Sequence, residues 1–169
     1  MALYGNVDVQ IKRGLLKDAS DQMEFLSVIQ EDGKVPAAML YLQAILAASD
    51  ADKHMDLLQK AYQDHMSTFK EAIQSNNMSI YDTIHVMNPL FLMDLASQLL
   101  THVGKQKSST SAKEAVGRGI SILEKIIKES PGLLRAQVTL STAHLMLGDL
   151  ETASQISTTV RVLTWLKVN

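Results

Sequence analysis

Residues 130–160 read SPGLLRAQVTLSTAHLMLGDLETASQISTTV, and this stretch decides the fold. Two apolar patterns of helical spacing flank the turn Leu147-Gly148-Asp149. The first runs over about 132–147, with Leu134, Val138, Ser141 and Leu145 on one face. The second runs over about 150–163, where Leu150, Ala153, Ile156 and Val160 recur three and four residues apart, the mark of one helical stripe. Gly148 suits the left-handed conformation that ends a helix. Asp149 stands where a side-chain oxygen can cap the next one. The stretch predicts two antiparallel helices joined by a tight turn.

This is the spacing of a tetratricopeptide helix-turn-helix unit, roughly 34 residues long. Such helices cross closely where side chains are small, and Ser141, Gly148 and Ala153 fill those places. A large side chain at any of them is expected to push the helices apart. Pro131 opens the unit, while Gln137 and His144 stand where the signature aromatic residues would be. One period earlier, residues 111–129 carry an apolar stripe of Val116, Ile120, Leu123 and Ile127, and Gly119 holds the small position that Ala153 holds later. The partner helix is expected over 88–102. Asn88 is its N-cap and Pro89 its first residue, and Leu92, Leu95, Ala96 and Leu99 form its buried face. Between these two helices the polar segment GKQKSST, residues 104–110, predicts an expanded loop.

The first half is less regular. A helix is expected over 15–31, with Leu15, Ala19, Met23, Leu26 and Ile29 in register and Asp32-Gly33 ending it. A second covers 36–48. A long amphipathic third covers 52–74, with Leu57, Leu58, Ala61, Met66, Phe69 and Ile73 on its apolar side. Residues 75–87 carry the weakest pattern, with a short helix around Tyr81, and residues 2–10 read as the end of another helix. The expected fold is all-α, a TPR-like α-solenoid of stacked antiparallel helix pairs. It forms a single array over 1–169, with irregular repeats over 1–87 and clearer ones over 88–130 and 131–165.

Composition agrees with helices and narrows the function. Leu, Ile, Ala and Met carry most of the hydrophobicity, and aromatic residues are only 5%, so β-rich architectures are disfavoured. The net charge of −2 supplies no basic field for nucleic acid. Without cysteine there are no disulfides, thiolate metal sites or thiol nucleophiles. The N-terminus lacks the apolar core of a secretory signal. The most apolar stretch, 35–48, is too short to span a bilayer, so no direct membrane insertion is expected. His54, His65, His85, His102 and His144 do not pair at metal-ligand spacing and read as half-exposed helical side chains. Gly117-Arg118-Gly119 lies inside a helical pattern and reads as close helix packing rather than a phosphate loop. No Ser sits in a G-x-S-x-G context. Neither an enzyme nor a cofactor or metal is indicated. The methionines, Met23, Met39, Met66, Met87 and Met93 among them, read as core.

What remains is a protein-binding surface. In the last repeat the candidates facing the solenoid groove are Arg135, Val138, Thr142, Leu145 and Met146. One basic residue among apolar ones does not make a clamp for a peptide carboxylate. It suits a packed helix or an extended partner segment.

Several blocks in order carry a family resemblance: QMEFLSVIQ (22–30), LYLQAILA (40–47), LLQKAYQDHM (57–66), MNPLFLMDLA (87–96), ISILEKIIKESPGLLRAQ (120–137) and LGDLETA (147–153). The last would match any such repeat, whereas NPLFLMDL and SPGLLRAQ are words that a generic repeat does not need. Together they resemble the tetratricopeptide-repeat protein 21 family over about 10–160. That resemblance implies a subunit of intraflagellar transport complex A, partnered by the other subunits, in the cytoplasm, the cilium and the ciliary base, serving retrograde transport and protein trafficking into cilia. A generic peptide-binding adaptor or co-chaperone module is the alternative. The end, RVLTWLKVN (161–169), leaves the repeat pattern. Uncapped apolar faces at both ends of the array predict that the isolated chain self-associates or is weakly stable.

Overall fold

The computed structural model describes residues 2–29, 35–75, 78–103 and 110–168. Among these residues there are nine α-helices and no strand: α1 (Ala2–Lys12), α2 (Leu16–Ile29), α3 (Ala37–Leu46), α4 (Ala51–Ser75), α5 (Ile80–Met87), α6 (Pro89–Val103), α7 (Thr110–Glu129), α8 (Leu134–Leu147) and α9 (Leu150–Val168). The fold is all-α, built of helices packed in adjacent pairs. The chain forms two compact units, Met1–Asn76 and Asn77–Asn169. One order of pairing recurs in both. In the first, α1 packs on α2 and α3, α2 on α3, and α3 on α4; in the second, α6 packs on α7 and α8, α7 on α8, and α8 on α9. That is the neighbour pattern of a helical repeat, in which each helix rests on its hairpin mate and on the next hairpin.

In the first unit Val7, Ala19, Met23, Leu26, Met39 and Leu42 form the core, with Tyr4, Ile11, Tyr41 and Leu46 against it. Gly14, at φ 77°, turns the chain out of α1, and the Leu15 N–H donates to the Gln10 carbonyl in that turn. Leu15 therefore precedes α2 and is exposed, so it is not part of the buried stripe. Side chains of α4 satisfy backbone groups at both ends of α3. The Asp64 carboxylate accepts from the Ala37 N–H at 3.0 Å, where Pro36 offers no capping side chain. Ten residues back, His54 places Nδ1 2.6 Å from the Ala44 carbonyl. These contacts hold α3 and α4 antiparallel, because residues advance along one helix as they retreat along the other. His54 is 3% exposed, which corrects the expectation of a half-exposed side chain: an imidazole N–H that reaches a last-turn carbonyl can be buried. Ile73 is exposed and lies outside the apolar stripe expected for α4.

In the second unit α5 is more definite than its sequence pattern suggests. Ser79 caps it, accepting from the Asp82 N–H at 3.1 Å and donating to the Asp82 carboxylate at 2.6 Å, a reciprocal cap. Asn88 then serves two helices. Its backbone, at φ 47°, ends α5 with its N–H on the Ile84 carbonyl, and its Oδ1 accepts from the Phe91 N–H at 3.2 Å to start α6. The expected cap is present, and the helix end it also supplies could not be read from spacing. α6 buries Leu92, Met93, Leu95, Ala96, Leu99 and Leu100. α7 lies between α6 and α8 and buries Val116, Gly119, Ile120, Ile122, Leu123 and Ile126. A Cβ on Gly119 would stand 3.2 Å from Leu100 Cδ2 and 3.7 Å from the Ala96 carbonyl oxygen, whereas Gly117 has open space. Close packing thus explains one glycine of the pair.

α8 begins at Leu134 rather than at 132, because Ser130 to Leu133 close a turn, with the Leu133 N–H on the Ser130 carbonyl. Gln137, where an aromatic residue would stand, is buried and donates through Nε2 to the Pro131 carbonyl at 2.6 Å. Pro131 itself is exposed at the turn. The α8–α9 crossing is built on Ser141 and Ala153: Ser141 Oγ donates to the Ala153 carbonyl at 3.0 Å and lies 3.0 Å from Ser157 Oγ. Gly148 does not serve close packing, since a Cβ there would meet nothing; its φ of 82° is what requires glycine. Asp149 caps α9 as expected, accepting from the Thr152 N–H at 3.1 Å while its other oxygen lies 3.1 Å from His144 Nδ1. Thr152, through its side chain and then its backbone N–H, holds the Asp149 carboxyl below the ordinary carboxylate range, with His144 adding to the effect. Leu150 is exposed, not buried with Ala153, and α9 continues to Val168, through the segment that departs from the repeat pattern. Of the loop expected over 104–110, Thr110 instead begins α7, and residues 104–109 lie outside the described residues, as do the Asp32-Gly33 stop and the His102 and Ile29 side chains. No helix is long and apolar enough to cross a membrane among the described residues.

Candidate partner-binding groove

α6 and α8 hold the same place in successive hairpins and touch each other. Between them runs a shallow groove of about 250 Å³, with Ser97, Leu100 and Thr101 from α6 and Val138, Thr139, Thr142 and Met146 from α8. These residues stand three and four apart on each helix, so each set lines one face. The face of α8 expected from Leu134, Val138, Ser141 and Leu145 is divided. Ser141 is buried against α9, while Val138 and Leu145 are about half exposed. Helical periodicity groups such residues but does not say which edge of the group meets a neighbour.

Of the five groove candidates, Val138, Thr142 and Met146 line the groove. Arg135 stands one turn before Val138, its Nη2 4.0 Å from Asp94 Oδ1 on α6. Both side chains are more than half exposed, so this long pair adds little to stability; it balances the charge at that end. Leu145 is 51% exposed and lies outside the lining. Asp94, Ser97, Leu100, Thr101 and Thr139 are not among the candidates that the sequence indicates. The signal that finds them is the pairing of α6 with α8, which sequence spacing within one hairpin does not contain.

The chemistry of the lining is mostly apolar despite its three threonines. Thr101 Oγ1 donates to the Ser97 carbonyl at 2.8 Å, Thr139 Oγ1 to Arg135 at 2.8 Å and Thr142 Oγ1 to Val138 at 3.0 Å. Each hydroxyl proton is engaged one turn back on its own helix. The groove therefore offers methyl groups, Leu100 and Met146, with few donors free to grip a carboxylate. Among the described residues no group of three or more His, Asp or Glu side chains is placed to hold a metal ion.

Comparison with known proteins places this architecture. Residues 1–160 match a family model described as the tetratricopeptide repeat protein 21 second ARM domain. Human tetratricopeptide repeat protein 21B is 29% identical over 154 residues, mouse 21B is 27% identical over 154, and mouse 21A is 26% identical over 160. Each match covers 90% of this chain and 12% of the relative, so the chain spans about 12% of the length of the curated relatives it matches. With the family model covering almost all of its helices, the chain belongs to the tetratricopeptide repeat protein 21 family.

Proposed function

We propose that this chain is a scaffold segment that holds other protein subunits, and that the α6–α8 groove is one of its contact surfaces. The observation that carries this reading is the lining itself: exposed Val138 and Met146 beside threonines whose hydroxyl protons are engaged on their own helix. Such a surface gains by covering apolar area and suits a helix or an extended segment laid along it. The resemblance to the family implies the assembly, intraflagellar transport complex A, and with it retrograde ciliary transport and the trafficking of proteins into cilia. The co-chaperone alternative requires a basic clamp, and Arg135 faces Asp94 instead.

The test is recovery of the complex from ciliated cells with the tagged chain and with V138D/M146D. Both positions are about half exposed, so helix content by circular dichroism stays as in the parent. The expected outcome is that the parent recovers the other complex subunits and the variant loses at least one of them. Recovery that is identical for both proteins removes the groove from the interface, and no recovery by a folded parent counts against the assembly.

A further inference from the structure

α2 leaves a large part of its circumference uncovered. Among its described side chains the buried ones are Ala19, Met23 and Leu26. Away from them, Asp18, Asp21, Phe25 and Val28 follow at intervals of three and four and share one face. All four are exposed, Phe25 by 63% and Val28 by 80%. Glu24 stands beside this line and Lys17 at its edge, both exposed. Three carboxylates thus surround an apolar pair with one ammonium nearby. Among the described residues, none of the three carboxylates is in an ion pair. A Phe and a Val three apart on the outer side of a helix do nothing for the core, and side chains of this size are costly to leave in water.

We propose that this face docks a protein segment that sets an apolar side chain among lysines or arginines, as a basic amphipathic helix does. The Phe25–Val28 pair supplies the area to be buried, and Asp18, Asp21 and Glu24 select the sign of the partner's charge and speed its approach. A second copy of this chain is disfavoured as the occupant, because a face-to-face pair sets like carboxylates together. Anionic lipid and nucleic acid are repelled for the same reason. The proposal is independent of the α6–α8 groove.

The probe is a synthetic amphipathic helix with leucines at three- and four-residue spacing flanked by lysines, titrated into the 169-residue chain beside a counterpart with glutamates in place of the lysines. The lysine peptide is expected to bind and the glutamate peptide not. F25S/V28S should weaken binding by about tenfold or more. D18K/D21K should weaken the lysine peptide and admit the glutamate one, whereas E114K/E124K, the same charge change placed on α7 instead of on this face, leaves affinity within about twofold, since salt screens exposed charges that the peptide does not touch. Circular dichroism confirms that each variant is folded. Any of four results overturns the proposal: affinity indifferent to F25S/V28S, equal binding of both peptides, a dimer that F25S/V28S abolishes, or binding to vesicles with about one phosphatidylserine in five lipids.

Discussion

α2 and α7 occupy the same place in the repeated order of pairing, second in α1–α4 and in α6–α9, and they are covered very differently. α7 buries eight residues, from Ala112 to Ile126, and draws close to α6 over Gly119. Among its described side chains α2 buries three, and it shows Leu16, Phe25 and Val28 to water. Each large side chain removed from water contributes about 1.5–3 kcal/mol, so α7 contributes more to its unit by burial than the described part of α2 does. One repeat order can therefore be built as a tightly packed body or as a looser one whose second helix keeps faces free.

The comparison is tested most severely in the cores. Leu123→Ala, at a fully buried position of α7, should cost about 4 kcal/mol, and Leu26→Ala, at the less enclosed α2 position, about 2 kcal/mol. Native-state hydrogen exchange read separately on each helix measures both. Equal costs would break the contrast. His54→Ala should then cost about 1–3 kcal/mol, by leaving the Ala44 carbonyl without its imidazole donor in a buried place. Its effect should speed exchange in α3 and α4 and leave α6–α8 unchanged. The smallest effect concerns pH. The Asp149 carboxyl is held below its ordinary range in the folded state, so its contribution is present above the unfolded carboxylate's pKa and is lost as pH falls through the folded one. Acid should therefore fray the start of α9 without a matching change in α2, and D149N, which keeps a capping oxygen, should flatten that response in the Thr152 amide exchange.

Much of the second unit was legible in the sequence because its signals are local. Asn88, Gly148 and Asp149 act on their own or adjacent turns, and the helices they bound lie where spacing puts them. Less legible were features that depend on a neighbour distant in sequence. His54 is buried because Ala44, on another helix, has a carbonyl to satisfy. Val138 and Ser141 share a helical face, yet only the serine meets α9. The groove was half visible for the same reason: its α8 wall was expected and its α6 wall was not, since Ser97 and Thr101 join the site through the packing of two helices about 40 residues apart.

The three groove threonines have a consequence for wetting. With the proton of Thr101, Thr139 and Thr142 held by a carbonyl of the same helix, each hydroxyl oxygen keeps a lone pair that can accept from water. The empty groove stays hydrated at little cost. A segment that settles there displaces that water without leaving a donor stranded, so the surface can be compatible with solvent when free and dry when filled.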